Sequence, residues 1–302
     1  MKKTKMMKRC ALALLLAALV LSGCGRKDEP DTPDAPEQAA QTVEYSNISD
    51  ASSKELLAKL FADAGIAPER TDKFFACLDQ FNASVKAEWL TDGFETAAST
   101  ETKYDPYEMQ DMWMEKQGDF PGYNCRITAF LLFGDHIAAG ADQPETNGED
   151  SLFMDIETLK RDPDVLCGKS TADFCALFAP VEAAESTKPS VQAEALRKGW
   201  AERGVTFSDG GCSMISAIFH DRFSDTENTL FIGHVGVLLP TGGDALYFVE
   251  KVAFQEPYRL TKFESRAALK NYLMAKYDTG WGQDTTPPFL MENDVLMDDA
   301  AR

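Results

Sequence analysis

A nucleophile and its base need not be neighbours in sequence, and two short stretches of this 302-residue chain carry the parts of such a pair. The first is Pro121-Gly122-Tyr123-Asn124-Cys125-Arg126-Ile127-Thr128-Ala129-Phe130. It sets Cys125 in the first turn of an apolar helix, just after an asparagine cap and a glycine-containing loop. Unpaired N–H groups and the helix dipole at that position stabilise a thiolate and lower its pKa. The same N–H groups can act as oxyanion donors. The second stretch is Gly233-His234-Val235-Gly236-Val237-Leu238-Leu239, a histidine within a strand. Its two glycines let another chain or a substrate approach the imidazole.

Each residue has a plainer alternative. Cys125 can be a small buried thiol at a helix start, and His234 a hydrogen-bonded strand histidine. The chain has three histidines, which narrows the choice of base. His136 lies on the predicted Cys125 helix, about 16 Å down its axis and out of reach of the sulfur. His220 ends the strand before His234 and is the second-choice base, or else a capped or surface histidine. Arg126, beside the thiol, can lower its pKa further, bind a substrate carboxylate, or pair with an acid. Gln117 is a candidate oxyanion side chain, and Asn124 and Arg126 join it as candidate oxyanion or substrate contacts.

Metal and cofactor chemistry find no footing. HExxH and paired CxxC spacings are absent, the acids from Asp142 to Asp150 lack the calcium-loop pattern, and no glycine-rich phosphate loop occurs. No cofactor and no metal are expected.

The helix-start cysteine followed by a strand reading His-Val-Gly-Val-Leu-Leu resembles the papain-like cysteine hydrolases. The resemblance is nearest to NlpC-type cell-wall endopeptidases and the related CHAP amidases. It implies a papain-like α+β fold, with Cys125 as nucleophile and His234 as general base and acid. It also implies Glu250, in Phe248-Val249-Glu250, as the group that orients the imidazole. Arg126-Ile127 stand where the NlpC pattern has Ser-Gly, and 109 residues separate Cys125 from His234, more than a compact NlpC domain has. A helical insertion must be accommodated. The exported body as a whole is also similar to a family of Gram-positive lipoproteins known only as a domain of unknown function, which implies no activity.

The elements must then bring these residues together. Strand faces alternate with period two, so His234 and Glu250 share a face only if an odd-length loop, of three or five residues, joins their strands. A tight two-residue Gly242-Gly243 turn would oppose His234 to Lys251 and turn Glu250 away unless a bulge intervened. Three strands, Ser213 to His220, Thr229 to Pro240 and Ala245 to Gln255, read as a meander. Helices precede them. Ser52-x-x-Glu55 resembles a capping box, Phe74, Phe75, Leu78, Phe81 and Val85 share a helical face, and Asp105-Pro106 starts a third helix. Asn124 caps the next, which is expected to run past Ile137 and stop at Gly140. Ser190 to Arg203 and 264–277 are helical, and TTPPFLMEND is an extended tail. Helices first and strands later predict one α+β domain over residues 46–302.

The chain start supplies an address. MKKTKMMKR followed by a 13-residue apolar run ending Leu21-Ser22-Gly23-Cys24 reads as a lipoprotein signal, with residues 1–23 removed and Cys24 lipidated. Residues 24–45 are acidic and proline-containing and read as a solvated tether. The expected location is the outer face of a bacterial membrane, with a lipid bilayer and a peptide or cell-wall fragment as partners. Once Cys10 and Cys24 are set aside, Cys77, Cys125, Cys167, Cys175 and Cys212 remain, an odd number. At least one is unbridged; the other four can form two bridges in three ways or stay as buried thiols. The chain holds 30 Lys+Arg against 49 Asp+Glu, and without the five cations of residues 1–23 the balance is 25 against 49, a charge of −24. Such a surface lacks the basic stripe that nucleic acid requires.

Overall fold

Local capping chemistry starts most of the helices. The computed structural model describes residues 42–98, 102–140, 151–224, 227–243, 245–278, 280 and 284–297. Helix α1 (Ala51–Asp63) begins at Asp50, whose carboxylate accepts from the Ser53 N–H; this aspartate is the cap, in place of the expected Ser52-x-x-Glu55 box. Proline opens α2 (Pro68–Asn82) and α3 (Pro106–Gln117), where its missing N–H costs nothing. Asn124 caps α4 (Cys125–Phe133). Helices α5 (Phe153–Arg161), α6 (Thr171–Phe178), α7 (Pro189–Glu202) and α8 (Arg266–Tyr277) follow.

Helix α4 stops sooner than its sequence suggests. The buried Arg70 donates to the Leu131 carbonyl at 2.7 Å and holds Asp135 at 2.8 and 2.6 Å. That takes the acceptor which a continuing helix would offer to the Asp135 N–H, and the chain turns at Gly134–His136 instead. His136 therefore sits on a 3₁₀ turn rather than on the helix.

The strands are β1 (Thr42–Ser46), β2 (Glu95–Ala98), β3 (Ile137–Ala138), β4 (Val181–Glu182), β5 (Thr206–Phe207), β6 (Ser213–Ser224), β7 (Glu227–Pro240), β8 (Leu246–Lys251), β9 (Tyr258–Phe263), β10 (Phe289–Glu292) and β11 (Val295–Leu296). Nine of them form one antiparallel sheet in the order β11-β10-β6-β7-β8-β9-β1-β2, with β4 added against β7. The expected meander β6-β7-β8 is its centre; β9, β1, β2 and β10 extend it on both sides. The protein is an α+β molecule.

Helix α4 packs on one face of the sheet, where Ile127, Phe130 and Leu131 join Phe74, Phe81, Ile232, Val235 and Val237. Helix α8 covers the other, with Leu269, Tyr272 and Leu273 against Leu238, Phe248 and Phe263. Strand β1 lies between β9 and β2, with Val43 and Tyr45 each 4% exposed. The folded body thus includes β1, and the expected tether is shortened at its C-terminal end. The alternation in Thr42-Val43-Glu44-Tyr45-Ser46 is a strand signal. Cys24 and the rest of the tether lie outside the described residues. Among the described residues no helix is long and apolar enough to cross a membrane.

Candidate active site

Helix α4 brings its own first turn into order. Asn124 Oδ1 accepts from the Ile127 N–H at 3.0 Å, and its Nδ2 donates to Asp155 Oδ1 at 2.7 Å. The same Asp155, fully buried on α5, receives Arg126 through Nε at 3.0 Å and Nη2 at 2.7 Å. Of the three uses open to Arg126, pairing with an acid is seen directly, and its charge also acts on the neighbouring thiol. Fork-to-carboxylate geometry makes this pairing strong and directional. The backbone N–H groups of Cys125 and Arg126 belong to the helix turn that has no intrahelical acceptors.

Strand β7 delivers the imidazole through a bulge. Ala217 faces His234 and Ile218 faces Ile232, so Gly233 is the extra residue between them. A Cβ on Gly233 would lie 2.4 Å from the Phe219 ring, so only glycine fits that kink. Strand β8 delivers the carboxylate. Pairing of Val237 with Val249 through Pro240 with Leu246 leaves a five-residue connection, 241–245. This odd length puts His234 and Glu250 on one face. The register sets Glu250 level with Gly236, a diagonal neighbour of His234, and the side chains close the gap: Glu250 Oε2 and His234 Nε2 are 2.6 Å apart.

The Cys125 thiol stands beside the His234 ring, close enough for each to shift the other's titration. With Nε2 engaged by Glu250, Nδ1 is the ring atom left for the sulfur. Residues 125, 234 and 250, from one helix and two strands, thus form a continuous chain of sulfur, imidazole and carboxylate. Cys125 is 7% exposed and His234 2%. Tyr277 stacks on the imidazole with ring centroids 4.9 Å apart at 22°.

Electrostatics separate this cysteine from the rest. Burial pushes other thiols up, to about 12 at Cys77 and about 11 at Cys212. Burial also acts against the Cys125 thiolate, but the adjoining His234 ring and the charge of Arg126 outweigh it and hold the thiol below its ordinary value. For His234 the same balance runs upward. Burial opposes the charged ring, yet Cys125 and Glu250 beside it raise it to about 9. Glu250, though buried, is held well below the usual carboxylate range by Lys276, His234 and Arg259. The resting state that these directions favour is a thiolate beside an imidazolium.

Residues 44–297 match a family described as Domain of unknown function (DUF4300). The chain belongs to that family. No curated protein and no solved structure matches it. The matched span of this DUF4300 protein contains Cys125, His234 and Glu250.

Other sequence candidates fall elsewhere in the DUF4300 fold. Gln117 accepts from Gln80 Nε2 at 3.0 Å and donates to Ser84 Oγ at 3.1 Å, which ties α3 to the end of α2 and occupies both ends of its amide. It is a packing residue rather than an oxyanion donor. Asn124 and Arg126 likewise have their side chains engaged by Asp155. His220 is satisfied at both nitrogens, Nδ1 by Thr286 at 3.0–3.1 Å and Nε2 by Asn228 at 2.7 Å. His136 lies tilted against the Phe133 ring, and its Nδ1 is 3.4 Å from Ser208 Oγ. Cys77, Cys125, Cys167 and Cys212 carry free thiols, so the two-bridge arrangements do not form. Among the described residues no group of His, Cys, Asp and Glu is placed to hold a metal ion.

Asp155, Tyr272 and Tyr277 were not singled out in the sequence. Asp155 is one acid in Phe153-Met154-Asp155-Ile156-Glu157, and nothing local distinguishes it. Tyr272 did leave a signal, since it falls in the apolar stripe Leu269, Tyr272, Leu273, where a phenol needs a buried acceptor.

Proposed function

We propose that this protein is a cysteine hydrolase of papain-like type, which cleaves an amide bond through a thioester at Cys125. The single observation behind this reading is the buried chain Cys125–His234–Glu250. The Cys125 thiolate attacks the carbonyl carbon of the amide. As the C–N bond breaks, the His234 imidazolium gives its proton to the leaving amine. Water then attacks the thioester, His234 takes a proton from it, and the carboxylic acid leaves as the thiolate is restored. Glu250 stabilises the imidazolium and fixes its tautomer, in the manner of an acid behind a catalytic histidine. The first-turn N–H groups of α4 supply the oxyanion site. The sequence start supports placing the enzyme on the outer membrane face through lipidated Cys24, with a peptide or cell-wall fragment as substrate. The acidic surface argues against nucleic acid.

The small exposure of Cys125 favours a second reading, a non-catalytic extracytoplasmic lipoprotein that binds a solute, peptide or wall fragment on an inactive papain-like fold. Iodoacetamide separates the two. Under the hydrolase reading Cys125 is alkylated selectively at pH 7, faster than Cys77 or Cys212, and His234→Ala slows that reaction at least tenfold. Uniform or absent labelling, read by peptide mass spectrometry, supports the binder.

A further inference from the structure

A glutamate held at one oxygen still turns about its terminal torsion, which is broad and shallow. Glu250 is held at both. Oε2 meets His234, and Oε1 accepts the Tyr272 hydroxyl at 2.7 Å. Tyr272 cannot move away, because it is fully buried between Leu269 and Leu273, also 0% and 1% exposed, on the inner face of α8. Its oxygen in turn faces Arg259 Nη1 at 3.4 Å. Five residues along the same helix, Tyr277 lies flat on the imidazole. One helix therefore touches both the acid and the base, from the face of the sheet opposite α4.

We propose that Tyr272 is a positioning residue: its hydroxyl sets the Glu250 carboxylate so that Oε2 points at His234 Nε2, and α8 is the third element that builds the site. This rests on the reading of Cys125 and His234 as a reacting pair, but its test reads the imidazole directly. The charged and titratable groups against His234 are Cys125 from α4, Glu250 from β8 and Tyr277 from α8; around them, Arg126 acts on Cys125, and Arg259 from β9 and Lys276 from α8 act on Glu250. Asp155 stands behind Arg126. Tyr272→Phe removes one oxygen and alters none of these residues.

The experiment is a long-range ¹H–¹⁵N NMR titration of the full chain labelled with ¹⁵N-histidine. With three histidines in the chain, the His234 signal is assigned by its loss in His234→Asn. In Tyr272→Phe the carboxylate swings free, and the His234 midpoint is expected to fall by about one pH unit, since an aligned carboxylate is what holds it up. Alkylation of Cys125 at pH 7 is expected to slow about three- to tenfold with it. Leu273→Ala weakens α8 packing without touching the hydroxyl and serves as the structural control, with the midpoint unmoved. The proposal is overturned by a folded Tyr272→Phe whose midpoint stays or rises, or by an equal fall in Leu273→Ala. If the midpoint follows Tyr272 but Cys125 is not selectively alkylated, the positioning holds and the hydrolase reading falls. If Cys125 is selectively alkylated and the midpoint ignores Tyr272, the reverse is true.

Discussion

Burial ordinarily silences a thiol, because hydrocarbon cannot solvate the thiolate. Cys77 and Cys212 obey that rule and Cys125 does not, because a proton acceptor and a guanidinium both stand beside it. The two partners of the dyad then move in opposite directions, the thiol down and the imidazole up to about 9. The ion pair exists in the window between them. As pH falls through the lowered thiol value the thiolate takes a proton, and as pH rises through about 9 the imidazolium loses one. Amide hydrolysis should therefore follow a bell in kcat/KM whose alkaline limb lies near 9. Glu250→Gln removes the anion behind the ring. The expected result is an alkaline limb lower by about one to two pH units, with a loss of activity at pH 7 of tenfold or more. An alkaline limb that stays in place in Glu250→Gln would show that the carboxylate does not set the ring's charge.

At the scale of the element, the legible parts of the site were those decided locally. Asn124 before an apolar run marks a helix start whatever surrounds it, so Cys125 could be placed at an N-terminus. Strand alternation tied Glu250 to His234 through the parity of one loop, and the five-residue connection has the parity that the pairing needs. What could not be read depends on contacts between distant segments. Arg70 ends α4 from 61 residues away, and Asp155 reaches Asn124 from 31. Strands β1 and β9 pair across more than two hundred residues, with no local mark of the partner. The β7 bulge falls between these cases, since Gly233 was visible as a close-approach glycine but not as the extra residue of a ladder. Gly233→Ala tests what the bulge does. Its Cβ would sit 2.4 Å from the Phe219 ring, so the strand or the ring must shift. Overpacking of this kind costs about 1–3 kcal/mol, measurable as a lower urea midpoint. Alkylation of Cys125 should slow further than the stability loss explains, because the bulge aims His234. A variant that loses stability but keeps the wild-type alkylation rate would confine the bulge to packing.

For the molecule as a whole, the sheet joins the chain's beginning to its site. Strand β1 fills the gap between β9 and β2, and Tyr45 on it lies under the Arg259 guanidinium, 4.3 Å from ring centroid to carbon. Arg259 faces Tyr272, and Tyr272 holds Glu250. The segment that composition assigns to a tether is thus the outer support of the carboxylate. Two chains differing only in their start make this testable, one beginning at Ala39 and one at Asn47. The shorter loses the burial of Val43 and Tyr45, each worth about 1.5–3 kcal/mol, and so about 3–6 kcal/mol in all. Domains of this kind are stable by about 5–15 kcal/mol, so the loss takes up a large share and also bares the β9 edge to pairing with other chains. Urea denaturation should place the midpoint of the shorter chain well below that of the longer one, with a visible tendency to aggregate. Equal midpoints would mean that β1 rides on the sheet without supporting it, and that the folded body starts where its first helix does.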